Sequence, residues 1–163
     1  MSEYEPFSEE RTREIALEFT GETGGAGVEG PLLPILHAVM EAFGHVPEAA
    51  VPVIAEVLNL GRAEVHGVVS FYHDFRRRPA GRHVVRLCRA EACQAMGGDA
   101  LAAQAEARLG VRIGETRGDG RVTLEAVYCL GLCATAPSGM IDGRLLGRLD
   151  APAIERIAAE VEA

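Results

Sequence analysis

Arg86-Leu87-Cys88-Arg89-Ala90-Glu91-Ala92-Cys93, with Cys129-Leu130-Gly131-Leu132-Cys133 downstream, is the reading from which the rest of the chain follows. The first loop is C-x4-C and comes directly after an extended run over 83–87. The second is C-x3-C and comes after Val127 and Tyr128. Loops that each follow a short extended run are expected on turns at sheet ends. Between the two pairs lie residues 94–128, enough chain for a helix and two strands that return. Four thiolates can therefore meet.

Four thiolates suit either zinc or an iron–sulfur cluster. Zinc knuckles mostly use C-x2-C, because one tight turn presents both sulfurs to one ion. Neither pair here has that spacing, and looser loops fit the wider binuclear cluster. Ala90, Ala92 and Gly131 leave room for backbone N–H groups near the sulfurs, where such bonds help set a potential. Spacing favours a cluster and leaves zinc, ordinary thiols and a disulfide open. There is no C-x-x-C for a catalytic thiol pair. No histidine stands two residues after a cysteine, as a Rieske centre would need.

The bulk properties narrow the setting. A chain of 163 residues buries a core without cysteine staples. Its net charge of −8 disfavours a nucleic-acid partner. All its basic side chains are arginine, a composition to which we attach no function. Met1-Ser2-Glu3-Tyr4-Glu5 lacks the start of a secretory signal, and no apolar stretch is long enough to span a bilayer. The expected location is cytoplasmic, with no membrane partner. In that compartment thiols stay reduced, and spaced cysteines point to metal or redox work.

Hydrophobic spacing divides the chain into three. Residues 1–30 are expected to be a flexible N-terminal arm, with a short helix over 8–19 capped by Ser8 and a Gly-rich linker over 20–30. Residues 31–79 read as a helical region. One helix spans 31–43, with Leu33, Leu36, Met40 and Phe43 as its apolar stripe and Gly44 at its end. A second starts near Pro47, and a third runs over 62–75 with Val65, Val68, Val69 and Tyr72 on one face. Residues 80–163 alternate. Strands are expected over 83–87, 111–113, 121–123 and 127–129, and a helix over 99–109. A hairpin turns at Asp142-Gly143, and Asp150 caps a last helix. The fold class is α/β, a small sheet with helices packed on it, preceded by a helical region.

These residues resemble the thioredoxin-like 2Fe-2S family that includes the small iron–sulfur subunit of respiratory complex I. The likeness lies in Phe43-Gly44-His45-Val46-Pro47, in Glu64-Val65-His66-Gly67-Val68-Val69-Ser70-Phe71-Tyr72 and in Val85-Arg86-Leu87-Cys88 with Cys93. It continues in Asp119-Gly120-Arg121-Val122-Thr123-Leu124-Glu125 and in Cys129 to Cys133 with Ala136-Pro137. Within the family, Cys88 to Gln94, Cys129 to Ser138 and Met140-Ile141-Asp142-Gly143-Arg144 look most like the gamma subunit of soluble NAD-dependent formate dehydrogenases. The resemblance implies a thioredoxin-like 2Fe-2S domain over 80–163, with Cys88 and Cys93 on one iron and Cys129 and Cys133 on the other. It implies one 2Fe-2S cluster per chain and a role as a non-catalytic electron-transfer subunit. The implied partners are a NAD-reducing subunit carrying FMN and a 4Fe-4S cluster, and a formate-oxidising subunit carrying the molybdenum cofactor. Residues 31–79 would dock on the flavin subunit. A complex I or hydrogenase diaphorase subunit, or a free-standing ferredoxin, are the alternatives. Pro137, standing before a strand, is a candidate cis-proline.

Other motifs carry less. Gly25-Ala26-Gly27-Val28-Glu29-Gly30 matches G-x-G-x-x-G but follows no strand, and reads as linker. The helices over 47–75 could suggest a helix-turn-helix, yet no arginine lies between Arg62 and Arg76. Arg76-Arg77-Arg78 is expected at a solvated helix end. The histidines show no ligand spacing. Glu91 lies between two candidate ligands, and its charge would oppose reduction of a cluster beside it. Glu91→Gln is therefore expected to raise the midpoint potential, and a redox titration showing no upward shift would remove that role.

Overall fold

The structure is a computed structural model that describes residues 4–21 and 27–163. Gly25 and Ala26 of the glycine run, the middle of the expected linker and the first three residues lie outside the described residues. The chain separates into two compact units, residues 1–79 and 80–163.

The first unit is helical: α1 (Glu9–Thr20), α2 (Leu32–Phe43), α3 (Ala50–Leu58) and α4 (Arg62–Phe71). Ser8 caps α1 by accepting the Arg11 N–H. The expected arm differs here from what is found. Ile15 and Ala16 of α1 are fully buried in the same core as Ile35, Val39 and Ile54. Arg13 also pairs with Glu56 on α3 at 2.9 Å. The stripe on α2 differs as well. Ile35, Leu36, Val39 and Phe43 are buried, while Leu33 and Met40 are only partly so. That helix is apolar on most sides, so periodicity alone does not choose its inner face. Pro47 lies before α3 rather than in it, and Pro52 falls in the first turn, where a missing N–H costs nothing. The Glu64 carboxylate accepts the Gly61 N–H at 2.7 Å and starts α4.

α4 ends at Phe71, earlier than periodicity suggests. The chain turns there so that Phe75 can enter the core, its ring 5.1 Å from that of His37. Arg76, Arg77 and Arg78 therefore follow a turn, not a helix end.

The second unit is a five-stranded sheet: β1 (His83–Cys88), β2 (Glu115–Thr116), β3 (Val122–Val127), β4 (Gly139–Ile141) and β5 (Arg144–Leu146), in the order β2-β3-β1-β4-β5. β1 is central. It pairs parallel to β3 from His83↔Val122 to Cys88↔Val127, and antiparallel to β4. A parallel pair needs a crossover. The chain between them carries a short helix, α5 (Glu91–Ala95), and a longer one, α6 (Gly98–Leu109). The last helix, α7 (Ala151–Glu162), begins at Asp150, whose carboxylate accepts the Ala153 N–H at 2.8 Å.

The expected strand over 111–113 is not one. Gly110 ends α6 in the left-handed region, and the Ile113 N–H goes to the Glu106 carboxylate at 3.0 Å instead of to a strand. The edge strand forms two residues later. Conversely, the two short strands expected over 121–123 and 127–129 are parts of one region, and β3 is continuous. Asp142 and Gly143 both have positive φ, as a tight two-residue hairpin requires. Arg117 links the β2–β3 turn to α7 through Asp119 at 2.8 Å and Glu162 at 2.6 Å. Its hydrogen bond, with that of the Arg121 N–H, holds the Asp119 carboxyl down to about 2.

Val85, Leu87, Val122 and Leu124 project from β1 and β3 at alternate positions. They bury against Ala102, Ala105 and Leu109 of α6 and Ile154, Ile157 and Val161 of α7. Leu124 is fully buried. Leu124→Ala is expected to cost about 2–5 kcal/mol, read as a fall in the denaturant midpoint of unfolding at unchanged slope.

Candidate functional site

The four cysteines are gathered at one end of this sheet by its hydrogen bonding. Cys88 is the last residue of β1 and lies beside Val127, the last residue of β3. Because the two strands run parallel, both leave the sheet at the same end. The Arg89 N–H donates to the Val127 carbonyl at 2.8 Å and extends the pairing one step further. Two residues after Val127 comes Cys129.

Each pair is then shaped by its own loop. Cys93 sits on α5, which sequence spacing treats only as loop. The helix brings it back toward Cys88, and both are buried, at 2 % and 4 % exposure. A β-carbon at Gly98 would stand 2.6 Å from the Cys93 carbonyl oxygen, so only glycine lets the start of α6 lie this close behind Cys93. Cys129 has φ of +87°, which a non-glycine residue adopts at a cost of about 1–3 kcal/mol. The strain turns the loop back sharply. The Gly131 N–H points at the Cys129 sulfur at 3.4 Å, and Cys133 opens a short 3-10 turn, Cys133–Thr135. The Cys129 and Cys133 sulfurs are 3.7 Å apart and both residues are exposed. One tetrahedral metal atom bound at about 2.3 Å from each sulfur sets its sulfurs about 3.8 Å apart.

The peptide bond Ala136–Pro137 is cis, as the position of Pro137 before a strand leads one to expect. Ser138 follows it. The hydroxyl of Ser138 is buried and lies 3.4 Å from the Cys93 sulfur, and the Ser138 carbonyl accepts the Cys88 N–H at 2.9 Å. Sequence reasoning does not single out this residue. The available signal was a hydroxyl directly after Pro137.

Electrostatics differ between the pairs. Burial pushes the Cys88 thiol up, but hydrogen bonds from the Ala90 backbone, Cys93, the Cys129 backbone and Ser138 outweigh it and leave Cys88 lowered. Cys133 is raised, first by its hydrogen bond with Cys129 and then by the negative charge that Cys129 would carry. Cys93 and Cys88 act on Cys133 in the same direction.

This donor set fits a binuclear group: four soft sulfurs, a buried pair and an exposed pair, with the Gly131 N–H aimed at one sulfur and the Ser138 hydroxyl beside another. Among the described residues, no group of three or more His, Cys, Asp or Glu side chains is arranged to hold one metal ion. The cysteines stand as two pairs. His66 lies on the exposed side of α4 and His73 beyond its end. Glu91 begins α5 at the surface. No helix among the described residues is long and apolar enough to cross a membrane.

Known proteins resemble this chain. The sequence profile of the thioredoxin-like 2Fe-2S ferredoxin family matches residues 23–162. A component of the NADH-quinone oxidoreductase of Pseudomonas aeruginosa, the one designated E, is 41% identical over 66% of this chain, a match that spans 64% of that protein's length. The HndA component of the NADP-reducing hydrogenase of Solidesulfovibrio fructosivorans is 32% identical over 81% of this chain and 77% of its own. Among solved structures, an NAD+-reducing NiFe-hydrogenase in its H2-reduced state matches 81% of the chain with a TM-score of 0.70 and 26% identity. The match covers 22% of that hydrogenase chain.

The close approach at Gly98 is testable without metal. Gly98→Ala must push α6 from α5. In the metal-free protein it is expected to speed labelling of Cys93 by an aromatic disulfide several-fold, while Cys129 and Cys133 label as before. Unchanged Cys93 labelling would mean that the contact does not hold this cysteine in place.

Proposed function

The chain belongs to the thioredoxin-like 2Fe-2S ferredoxin family, and on that premise we propose that it is an electron-transfer subunit of a multisubunit NAD-linked oxidoreductase. Cys88 and Cys93 would hold one iron and Cys129 and Cys133 the other. The observation that carries this reading is the convergence of the four cysteines on one sheet end, in a chain whose family is defined by such a cluster. The group supplies one-electron exchange when bound. The protein's part is to hold the sulfurs, to offer hydrogen bonds to them and to shield the Cys88–Cys93 side from water. No nucleophile–base pair or paired acid–base carboxylates arise from the sequence, and the chain is read as non-catalytic by itself.

The relatives' names favour an assembly in which NADH or NADP is the nucleotide partner. We infer a partner subunit that carries FMN and a 4Fe-4S cluster and reacts with the nucleotide. The parent enzyme we propose is a soluble NAD-dependent formate dehydrogenase, with a further subunit carrying the molybdenum cofactor. Its support is the resemblance of the two cysteine loops and of residues 140–144. A second reading, in which the parent is an NADH:quinone oxidoreductase or a NAD-linked hydrogenase, rests on the names of the relatives. A cytoplasmic location goes with the soluble formate dehydrogenase.

Anaerobic purification with metal analysis tests the site. The expected result is about two irons and two sulfides per chain with an S = 1/2 signal after dithionite reduction. Cys129→Ser and Cys93→Ser are each expected to lose or alter that signal. A colourless protein holding one zinc per chain would overturn the cluster. Formate-dependent NAD reduction by the co-purified complex tests the parent. Hydrogen as donor, or quinone as acceptor, would replace the formate reading and leave the cluster standing.

A further inference from the structure

We propose that Ser138 tunes the reduction potential of the site by donating its hydroxyl hydrogen bond to the Cys93 sulfur of the buried Cys88–Cys93 pair. This rests on the reading that the four cysteines hold a binuclear cluster.

Three observations place the hydroxyl there. Ser138 is 2 % exposed, so its hydroxyl has no access to bulk water. Its oxygen lies 3.4 Å from the Cys93 sulfur. Its backbone is fixed from two sides. The Ser138 carbonyl accepts the Cys88 N–H at 2.9 Å, and the Pro137 carbonyl accepts the Leu149 N–H at 2.9 Å. The next residue, Gly139, lies so close to β1 that a β-carbon there would stand 2.8 Å from the Arg86 carbonyl oxygen. The Ser138 backbone is thus clamped against the end of β1.

The direction of the hydrogen bond follows from chemistry. Between a thiol and a hydroxyl, either can donate. A thiolate that ligates metal has no proton, so in the loaded protein the hydroxyl must be the donor. A buried hydroxyl left without an acceptor would be costly, which keeps it on sulfur. Reduction adds one negative charge, spread partly onto the sulfurs. A donor aimed at them stabilises the reduced form more than the oxidised form, and the potential rises. Cys129 and Cys133 are exposed, and the Gly131 N–H at 3.4 Å is the donor seen on that pair. Ser138 is a positioning and tuning residue; it does not react.

The experiment is a dithionite titration of the purified chain or complex, followed by EPR, on Ser138→Ala, Ser138→Thr and Ser138→Val. Iron and sulfide content is measured on each sample first. Ser138→Ala is expected to keep the cluster and to be harder to reduce by about tenfold, which is a fall of about 59 mV for one electron. Ser138→Thr keeps the hydroxyl and is expected to remain near the parent value. Thr and Val have nearly the same shape and strain the site alike, so the gap between them isolates the hydroxyl even if Ala assembles poorly. Equal potentials in fully loaded Thr and Val variants, or an unchanged potential in Ala, would overturn the proposal while the cluster reading stands. Absence of iron from the parent protein would overturn the reading itself.

Discussion

The parallel pairing of β1 with β3 is the constraint on which the cysteine site depends. Parallel strands finish together, so residues far apart in sequence leave the sheet side by side. The register that pairs His83 with Val122 ends on Cys88 and Val127. A slip of one residue would turn Val85 and Leu87 out of the core they share with Leu109 and Ile154. The hydrophobic core of this unit therefore fixes where the sulfurs are. The chain between the strands is long because a crossover must climb over the sheet. α6 meets that need and contributes Ala102, Ala105 and Leu109 to the same core.

The loops around the sulfurs are local solutions to a crowding problem. Gly98 allows two helices to meet behind Cys93. Cys129 takes a backbone conformation that most side chains avoid. Ser138 lies beside Cys88 because β4 runs antiparallel to β1. All of these converge on sulfur, and Cys129 is the strained one. Strained residues collect where function over-determines them.

What was legible in the sequence was whatever local chemistry decides. Ser8 and Asp150 announced their helices because a cap is a short-range hydrogen bond. Asp142-Gly143 announced its hairpin because both residues tolerate positive φ. The spacing of the cysteines, with the residues around them, pointed to the family. The rest depended on contacts between distant residues. Nothing local tells that Ile113 will give its N–H to Glu106, or that Phe75 will end α4 by folding into the core. The burial of α1 and the inner face of α2 were hidden in the same way, since each is settled by a partner helix. Ser138 was invisible because its importance is its neighbour across the sheet, not its neighbour in the chain.

The unequal exposure of the two cysteine pairs gives the second unit a front and a back. Cys88 and Cys93 face inward, while Cys129 and Cys133 reach the surface beside Tyr128, which is 76 % exposed. Electron tunnelling weakens steeply with distance through protein. On the cluster reading, a redox neighbour seated over Leu130 and Gly131 would be close to the exposed pair. The unit is then a wire with one bare end, and its insulation is the hydrophobic core.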